Sequence, residues 1–236
     1  MSKLLVDNKL VVDLVNEVAP LVRTLTRWEL ATNKLRCRVI PKHRGFEEIV
    51  IKQLQYLGIP VFEDNPRGFF DKLAEYLLEA NVLAAYLPFN DEIIVVRENV
   101  DDSNMDGLRL ILGHELVHRS QHINYPEIFQ ELEILSRRIF LILYEAQAIP
   151  DLEQIMDTLM EIRSIMTLFE SHASVIQHTL NRNYYPDAMI ESHWSLPVLL
   201  FRLVGAEKLS QYRDGIPMVM EAMERGAIDD LYQRKG

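Results

Sequence analysis

The chain has 236 residues, of which 48% are hydrophobic and 25% charged, a balance typical of globular domains and unlike disordered or fibrous chains. Its formal net charge of -10 argues against nucleic acid as a partner, because phosphate binding needs a basic surface. The single cysteine, Cys37, excludes an internal disulfide and a cysteine-based zinc site.

The amino-terminal segment is apolar over residues 4–22, but Asp7, Lys9, Asp13 and Glu17 interrupt it at helical spacing, which is unlike a signal peptide. The sequence contains no run of about 18 uncharged apolar residues, so we expect no membrane span and no membrane partner. A lone thiol fits a reducing compartment, and the cytoplasm is the expected location.

The first predicted element is an amphipathic helix over 10–25, where apolar residues recur every three or four positions around Pro20. Alternation of apolar and basic residues over 34–40 predicts a strand. The patterns over 46–57 and 69–78 each predict a further helix.

Two β-rich runs at 82–87 and 92–97 flank a Pro-Phe-Asn-Asp segment, and this arrangement predicts a β-hairpin. From about residue 106 onward the pattern of apolar residues is helical. We expect two or three short helices after Pro186, preceded by three longer ones over 106–122, 126–148 and 152–180.

The predicted fold class is therefore α+β and predominantly helical. The sequence shows no internal repeat and no linker rich in glycine or serine, so we expect one domain over residues 1–236. Within it, residues 1–103 would form a small α/β lobe with the hairpin at its edge, and residues 104–236 a helical lobe.

Residues 113–118 read Gly-His-Glu-Leu-Val-His and place an H-E-x-x-H motif inside a predicted helix. Residues four apart lie one turn apart on the same face, so His114 and His118 can both direct an imidazole nitrogen at one zinc ion. Glu115, rotated by about 100°, can take the proton of a water whose pKa zinc lowers towards roughly 7. Chance would produce this pattern about 0.02 times in a chain with these residue frequencies.

This segment resembles the active-site helix of zincin-type metallopeptidases, and the resemblance extends over roughly residues 80–180. It implies a zincin-like fold, a Zn²⁺ cofactor and a peptide or protein substrate whose peptide bond is hydrolysed. It also implies that the strand at 92–97 is an edge strand, to which an extended substrate would add by backbone hydrogen bonds.

A catalytic zinc site takes a third protein ligand and keeps one position open. The metzincin pattern fails here, because Gln121 and Asn124 stand where glycine and histidine are required. His122 lies about 12 Å along the helix axis from His114, which is too far to share a metal with it. The motif is then most similar to the gluzincin branch, in which the third ligand is a glutamate from a later helix.

Three glutamates are candidates for that ligand. Glu170 comes first, because it interrupts the apolar stripe of the long helix, where a carboxylate must be paired, protonated or bound to a metal. Glu145 comes second and Glu191 third. Many gluzincins carry an aspartate four residues after this glutamate to support a zinc histidine, whereas this chain has Ser174 there.

By the same resemblance, a histidine or tyrosine after the third ligand donates a hydrogen bond to the oxyanion, and Tyr185 and His193 are the candidates. Three functions stay open at this point. The chain is a zinc peptidase, a zincin-like binding or regulatory protein without turnover, or a helical interaction protein whose motif is accidental. The sequence does not indicate an oligomeric state.

Overall fold

The computed structural model describes residues 6–58, 82–145, 152–189 and 208–233. The α-helices in these ranges are α1 (Asn8–Thr26), α2 (Lys52–Tyr56), α3 (Met105–Asn124), α4 (Pro126–Glu145), α5 (Leu152–Tyr184), α6 (Lys208–Glu224) and α7 (Ile228–Tyr232). A π-helix over Phe46–Ile51 leads directly into α2. The strands are β1 (Arg36–Ile40), β2 (Ala84–Leu87) and β3 (Glu92–Val96). The predicted α+β, predominantly helical class is confirmed, while the helix predicted over 69–78 lies outside the described residues.

None of the helices in the described ranges combines the length and the apolar character that crossing a bilayer requires.

The three strands form one sheet in the order β1-β3-β2. The predicted hairpin is confirmed, since β2 and β3 pair in antiparallel register with Tyr86 opposite Ile93. The expectation that residues 92–97 form an edge strand is wrong, because β1 pairs in parallel with the other side of β3. All five residues of β3 are buried, as is usual for a strand covered on both faces.

Helix α3 contacts α1, α4, α5 and β2. The Asn104 side chain caps its start by accepting a hydrogen bond from the Gly107 N–H at 2.8 Å. From Gly107 to Gln121 every residue except Arg109 is buried. A helix that is covered all round in this way can place polar groups only where other buried elements supply partners.

Helices α3 and α5 approach closely at Gly113. A β-carbon on Gly113 would lie 2.6 Å from the Leu180 Cδ1 atom of α5, so the Leu180 side chain would have to shift to admit one. The apolar cluster around this contact also includes Val18 of α1 and Ile93 of β3, and therefore joins α1 and the sheet to the two helices. This packing fixes the distance between the two helices that carry the predicted metal ligands.

Candidate metal centre

The structure brings the three predicted ligands together. His114 and His118 project from successive turns of α3, and Glu170 projects towards them from α5. One oxygen of the carboxylate lies 3.5 Å from His114 Nε2 and the other lies 3.3 Å from His118 Nε2. The potential ligand atoms all lie within 4.8 Å of one another, and the three residues are 2%, 8% and 2% exposed.

Glu170 reaches this position because it belongs to the stripe of α5 that faces α3. Its helical neighbours Met166 and Ala173 are completely buried, and Ser171 is too. A carboxylate on such a face loses its hydration, which is unfavourable unless charged or hydrogen-bonding groups replace the water. The two imidazoles supply those groups. They compensate for the hydration that the Glu170 carboxylate loses on burial.

The electrostatics of the cluster follow from this burial. Desolvation by itself would raise the pKa of Glu170, but the neighbouring His118 and His114 outweigh it and hold the pKa well below its usual value. Desolvation by itself would lower the pKa of His118, but the Glu170 carboxylate outweighs it and raises the pKa to about 9. The carboxylate is thus an anion that requires a cation beside it.

The donor set suits a metal ion as that cation. Imidazole nitrogens and a carboxylate oxygen are ordinary ligands of divalent transition metals. The other ring nitrogen of His118, Nδ1, lies 2.9 Å from Gln121 Oε1, so Nε2 is the atom turned towards Glu170. This buried group of His114, His118 and Glu170 can therefore hold a metal ion.

Glu115 lies on the same helix as the two histidines and is 1% exposed. Its Oε2 atom accepts a hydrogen bond from the backbone N–H of Tyr86 at 2.7 Å. Because β2 is at the edge of the sheet, this N–H can point away from β3 and towards α3. The bond fixes the carboxylate of the predicted general base against the sheet.

The other predicted residues are not part of the described cluster. Tyr185 follows the end of α5, which lies 14 residues or about 21 Å along the axis beyond Glu170. Its ring is instead near Arg109, whose guanidinium carbon lies 5.8 Å from the ring centre. His193, Glu191 and the side chain of Glu145 lie outside the described residues.

Two residues that the sequence analysis did not include in the site are connected to this centre. Gln121 bonds to His118, and Tyr232 of α7 bonds to Gln121 with 2.9 Å between the hydroxyl oxygen and Nε2. The position of Gln121, three residues after His118 on the same face of α3, is a signal that could have identified it. Tyr232 lies 111 residues further along the chain, and no local pattern links it to the motif.

The chain matches no protein-family model, no curated protein and no solved structure. The resemblance to zincins therefore stays a prediction that depends on residues 114–118 and on Glu170. What the chain does must be inferred from the chemistry of this site, because a fold by itself does not define an activity.

Proposed function

We propose that this chain is a zinc-dependent peptidase in which His114, His118 and Glu170 hold the metal and Glu115 is the general base. The observation that supports the proposal most strongly is the buried cluster itself, with potential ligand atoms from two helices within 4.8 Å of one another. Two histidines and one glutamate form the ligand set of many catalytic zinc sites in peptidases, where a further position is kept for water or substrate.

Zinc, when bound, supplies Lewis acidity that polarises a carbonyl group and makes water a stronger acid. The protein's own contribution is proton transfer by Glu115, which accepts a proton from the attacking water and passes it to the leaving amine. The water oxygen bonds to the carbonyl carbon as the carbon–nitrogen bond breaks, so one water is consumed for each peptide bond cleaved. The bond from the Tyr86 N–H keeps the Glu115 carboxylate oriented for this transfer.

Iron(II) is the main competing metal, because two histidines and one carboxylate also bind iron in oxygenases. The sequence favours zinc, since the two histidines are one helical turn apart and enclose a glutamate that is not itself a ligand in the cluster. Elemental analysis of the purified protein should find about one zinc per chain.

A second candidate function is metal binding without turnover. It is favoured by the burial of all three ligands and by the bond between Glu115 and the Tyr86 N–H. In this case Glu115 would only tie α3 to the sheet, and the metal would stabilise the contact between α3 and α5.

The two candidates are separated by cleavage of a peptide library with wild-type protein and with Glu115→Gln. For a peptidase, the wild-type protein cleaves in a chelator-sensitive manner, and the variant keeps its zinc while cleavage falls about 10²–10⁴-fold. Glu48→Gln is the matched control, because Glu48 is equally buried but lies outside the cluster, and it should cleave normally.

Zinc binding without any cleavage by the wild-type protein would support the second candidate. Protein that binds neither zinc nor another divalent metal would overturn both.

A further inference from the structure

A row of buried polar side chains connects the metal cluster to α7. His118 Nδ1 lies 2.9 Å from Gln121 Oε1, Gln121 Nε2 lies 2.9 Å from the Tyr232 hydroxyl, and that hydroxyl lies 2.9 Å from His172 Nδ1. Gln121 Nε2 also donates to the Phe169 carbonyl at 3.0 Å. Each of the five residues is at most 8% exposed, so water does not compete for these bonds.

The direction of every bond in this row can be assigned. A backbone carbonyl only accepts hydrogen bonds, so the amide nitrogen of Gln121 must face Phe169, and its oxygen must face His118. His118 therefore donates from Nδ1. The second amide hydrogen of Gln121 goes to the Tyr232 oxygen, which leaves the hydroxyl hydrogen to donate to His172 Nδ1.

The assignment has a consequence for the metal ligand. A neutral His118 that carries its hydrogen on Nδ1 presents a lone pair at Nε2, the atom that lies 3.3 Å from the Glu170 carboxylate. The opposite tautomer would place a lone pair against the Gln121 oxygen and lose the bond. Gln121 thus selects the form of His118 that can bind a metal, and its two donated bonds prevent the amide from rotating.

We propose that Gln121 is a positioning residue for the metal centre and that the Tyr232 hydroxyl of α7 holds it in place, so that metal affinity depends on a helix that contributes no ligand. This inference rests on the metal site of the proposed function. It does not depend on whether the metal is used for hydrolysis.

Tyr232 is well placed for such a role. It is 1% exposed, its ring stacks on Tyr125 at a centroid distance of 4.6 Å, and the edge contact with Trp28 is 4.9 Å. A phenylalanine would keep these ring contacts and lose only the hydroxyl. The contribution of the hydroxyl can therefore be measured separately from the packing of α7.

The first experiment compares Tyr232→Phe with Tyr125→Phe, each measured by zinc competition against a chromophoric chelator. The variants are matched, because both remove one hydroxyl from the same ring stack, and the Tyr125 hydroxyl also anchors α7 by donating to Asp229 at 2.6 Å. We expect Tyr232→Phe to weaken zinc binding about tenfold, and Tyr125→Phe to leave it nearly unchanged.

The second experiment compares Gln121→Glu with Gln121→Met. Glutamate keeps an oxygen acceptor for His118 Nδ1, whereas methionine fills the space without any hydrogen bond. We expect Gln121→Met to lower zinc affinity about 10–100-fold and Gln121→Glu to lower it less. A purely structural role predicts the reverse order, since a buried carboxylate disrupts the fold more than methionine does. The thermal stability of each metal-free variant supplies that structural comparison.

A third readout is spectroscopic and needs no variant. In the zinc-loaded wild-type protein, a long-range ¹H–¹⁵N correlation spectrum should show a slowly exchanging hydrogen on His118 Nδ1. A metal bound through Nδ1 instead would overturn the inference.

The remaining outcomes are also decisive. If the wild-type protein binds zinc and Tyr232→Phe equals Tyr125→Phe, the inference fails while the metal site stands. If the two Gln121 variants rank in zinc affinity as they rank in stability, the role of Gln121 is structural. If the wild-type protein binds no zinc, the metal site and this inference fail together.

Discussion

Glu48 and Glu170 are buried to nearly the same degree, with 1% and 2% of their surface exposed, but the groups around them differ. Glu48 accepts charged hydrogen bonds from Arg38 at 2.7 Å, Arg44 at 2.5 Å and Lys52 at 2.6 Å. Burial by itself would raise the pKa of Glu48, but Arg38 and Lys52 outweigh it and lower the pKa to about 2. These three partners are charged at neutral pH and reach solvent.

The contacts that define the Glu170 cluster are of a different kind. Its partners are two imidazoles at 3.3 and 3.5 Å, which are charged only when protonated. The comparison shows that burial alone does not identify a functional carboxylate. A buried glutamate that faces arginine and lysine completes an ion-pair network, whereas a glutamate that faces two imidazoles is compensated when they are protonated or when a metal ion binds.

The largest expected difference between the two clusters is in zinc affinity. Glu170→Gln removes an anionic ligand and should raise the zinc dissociation constant at least about 100-fold. This is more than the loss expected when a residue that only supports a ligand is replaced. Glu48→Gln should leave the constant within about threefold of wild type, because Glu48 does not belong to the cluster. Competition titration measures the zinc dissociation constants of both variants. If the two variants lose the same zinc affinity, Glu170 does not differ from Glu48 in metal binding.

The second expected difference is in the response to pH. Since the pKa of His118 is raised to about 9, zinc must displace a proton from His118 below that pH. The affinity of the protein for zinc should therefore rise about tenfold per pH unit up to about pH 9. Calorimetry in buffers of different ionisation enthalpy should detect about one proton released per zinc at neutral pH. An affinity independent of pH would contradict the placement of His118 beside Glu170.

The same raised pKa affects the metal-free protein. The stabilisation from charged His118 is fully present below its ordinary pKa near 6.5 and is lost as pH rises through about 9. Zinc should therefore stabilise the protein most at the alkaline end of this range, which thermal unfolding with and without chelator can measure.

The third expected difference concerns helix packing. Of the two clusters, the metal cluster is the one that lies at the close approach of α3 and α5. Gly113→Ala should weaken zinc binding and lower the free energy of unfolding by up to about 2 kcal/mol, because displacing the Leu180 side chain costs more than the helix propensity that alanine adds. Gly45 is the matched control beside the Glu48 network, because a β-carbon there meets no atom within 4 Å. Gly45→Ala should be neutral or slightly stabilising in denaturant unfolding.

The smallest effect is expected from Lys52→Met. Arg38 and Arg44 still compensate Glu48 in this variant, and Lys52 is more than one-third exposed, so the free energy of unfolding should fall by less than about 1 kcal/mol. Denaturant unfolding at low and high salt measures this loss. A loss above about 2 kcal/mol would mean that the Glu48 network is not redundant.

Much of the helical architecture and the metal cluster could be predicted because both depend on local periodicity. The four-residue spacing of His114 and His118 required only that the segment be helical, and α3 covers it. Glu170 could be selected because one charged residue interrupts an otherwise apolar helix face. Each inference used residues that are close together in the sequence.

The features that could not be predicted depend on contacts between distant segments. The strand order requires β1 to pair with β3, whose paired residues Arg36 and Glu92 are far apart in the sequence. One local signal was available, since the unbroken apolar run from Ile93 to Val96 is typical of a central strand and not of an edge. The bond between Gln121 and Tyr232 has no such signal.

The sheet has a further property that follows from two side-chain contacts. On one outer side the Tyr86 N–H is bonded to Glu115, and on the other the Val39 N–H donates to the Asn8 side chain at 2.7 Å. At these positions, another polypeptide could extend the sheet only by displacing a side chain that is already bonded. Covering of edge positions in this way is a general means by which β-proteins avoid intermolecular strand pairing, and Glu115 and Asn8 cover two such positions in this sheet.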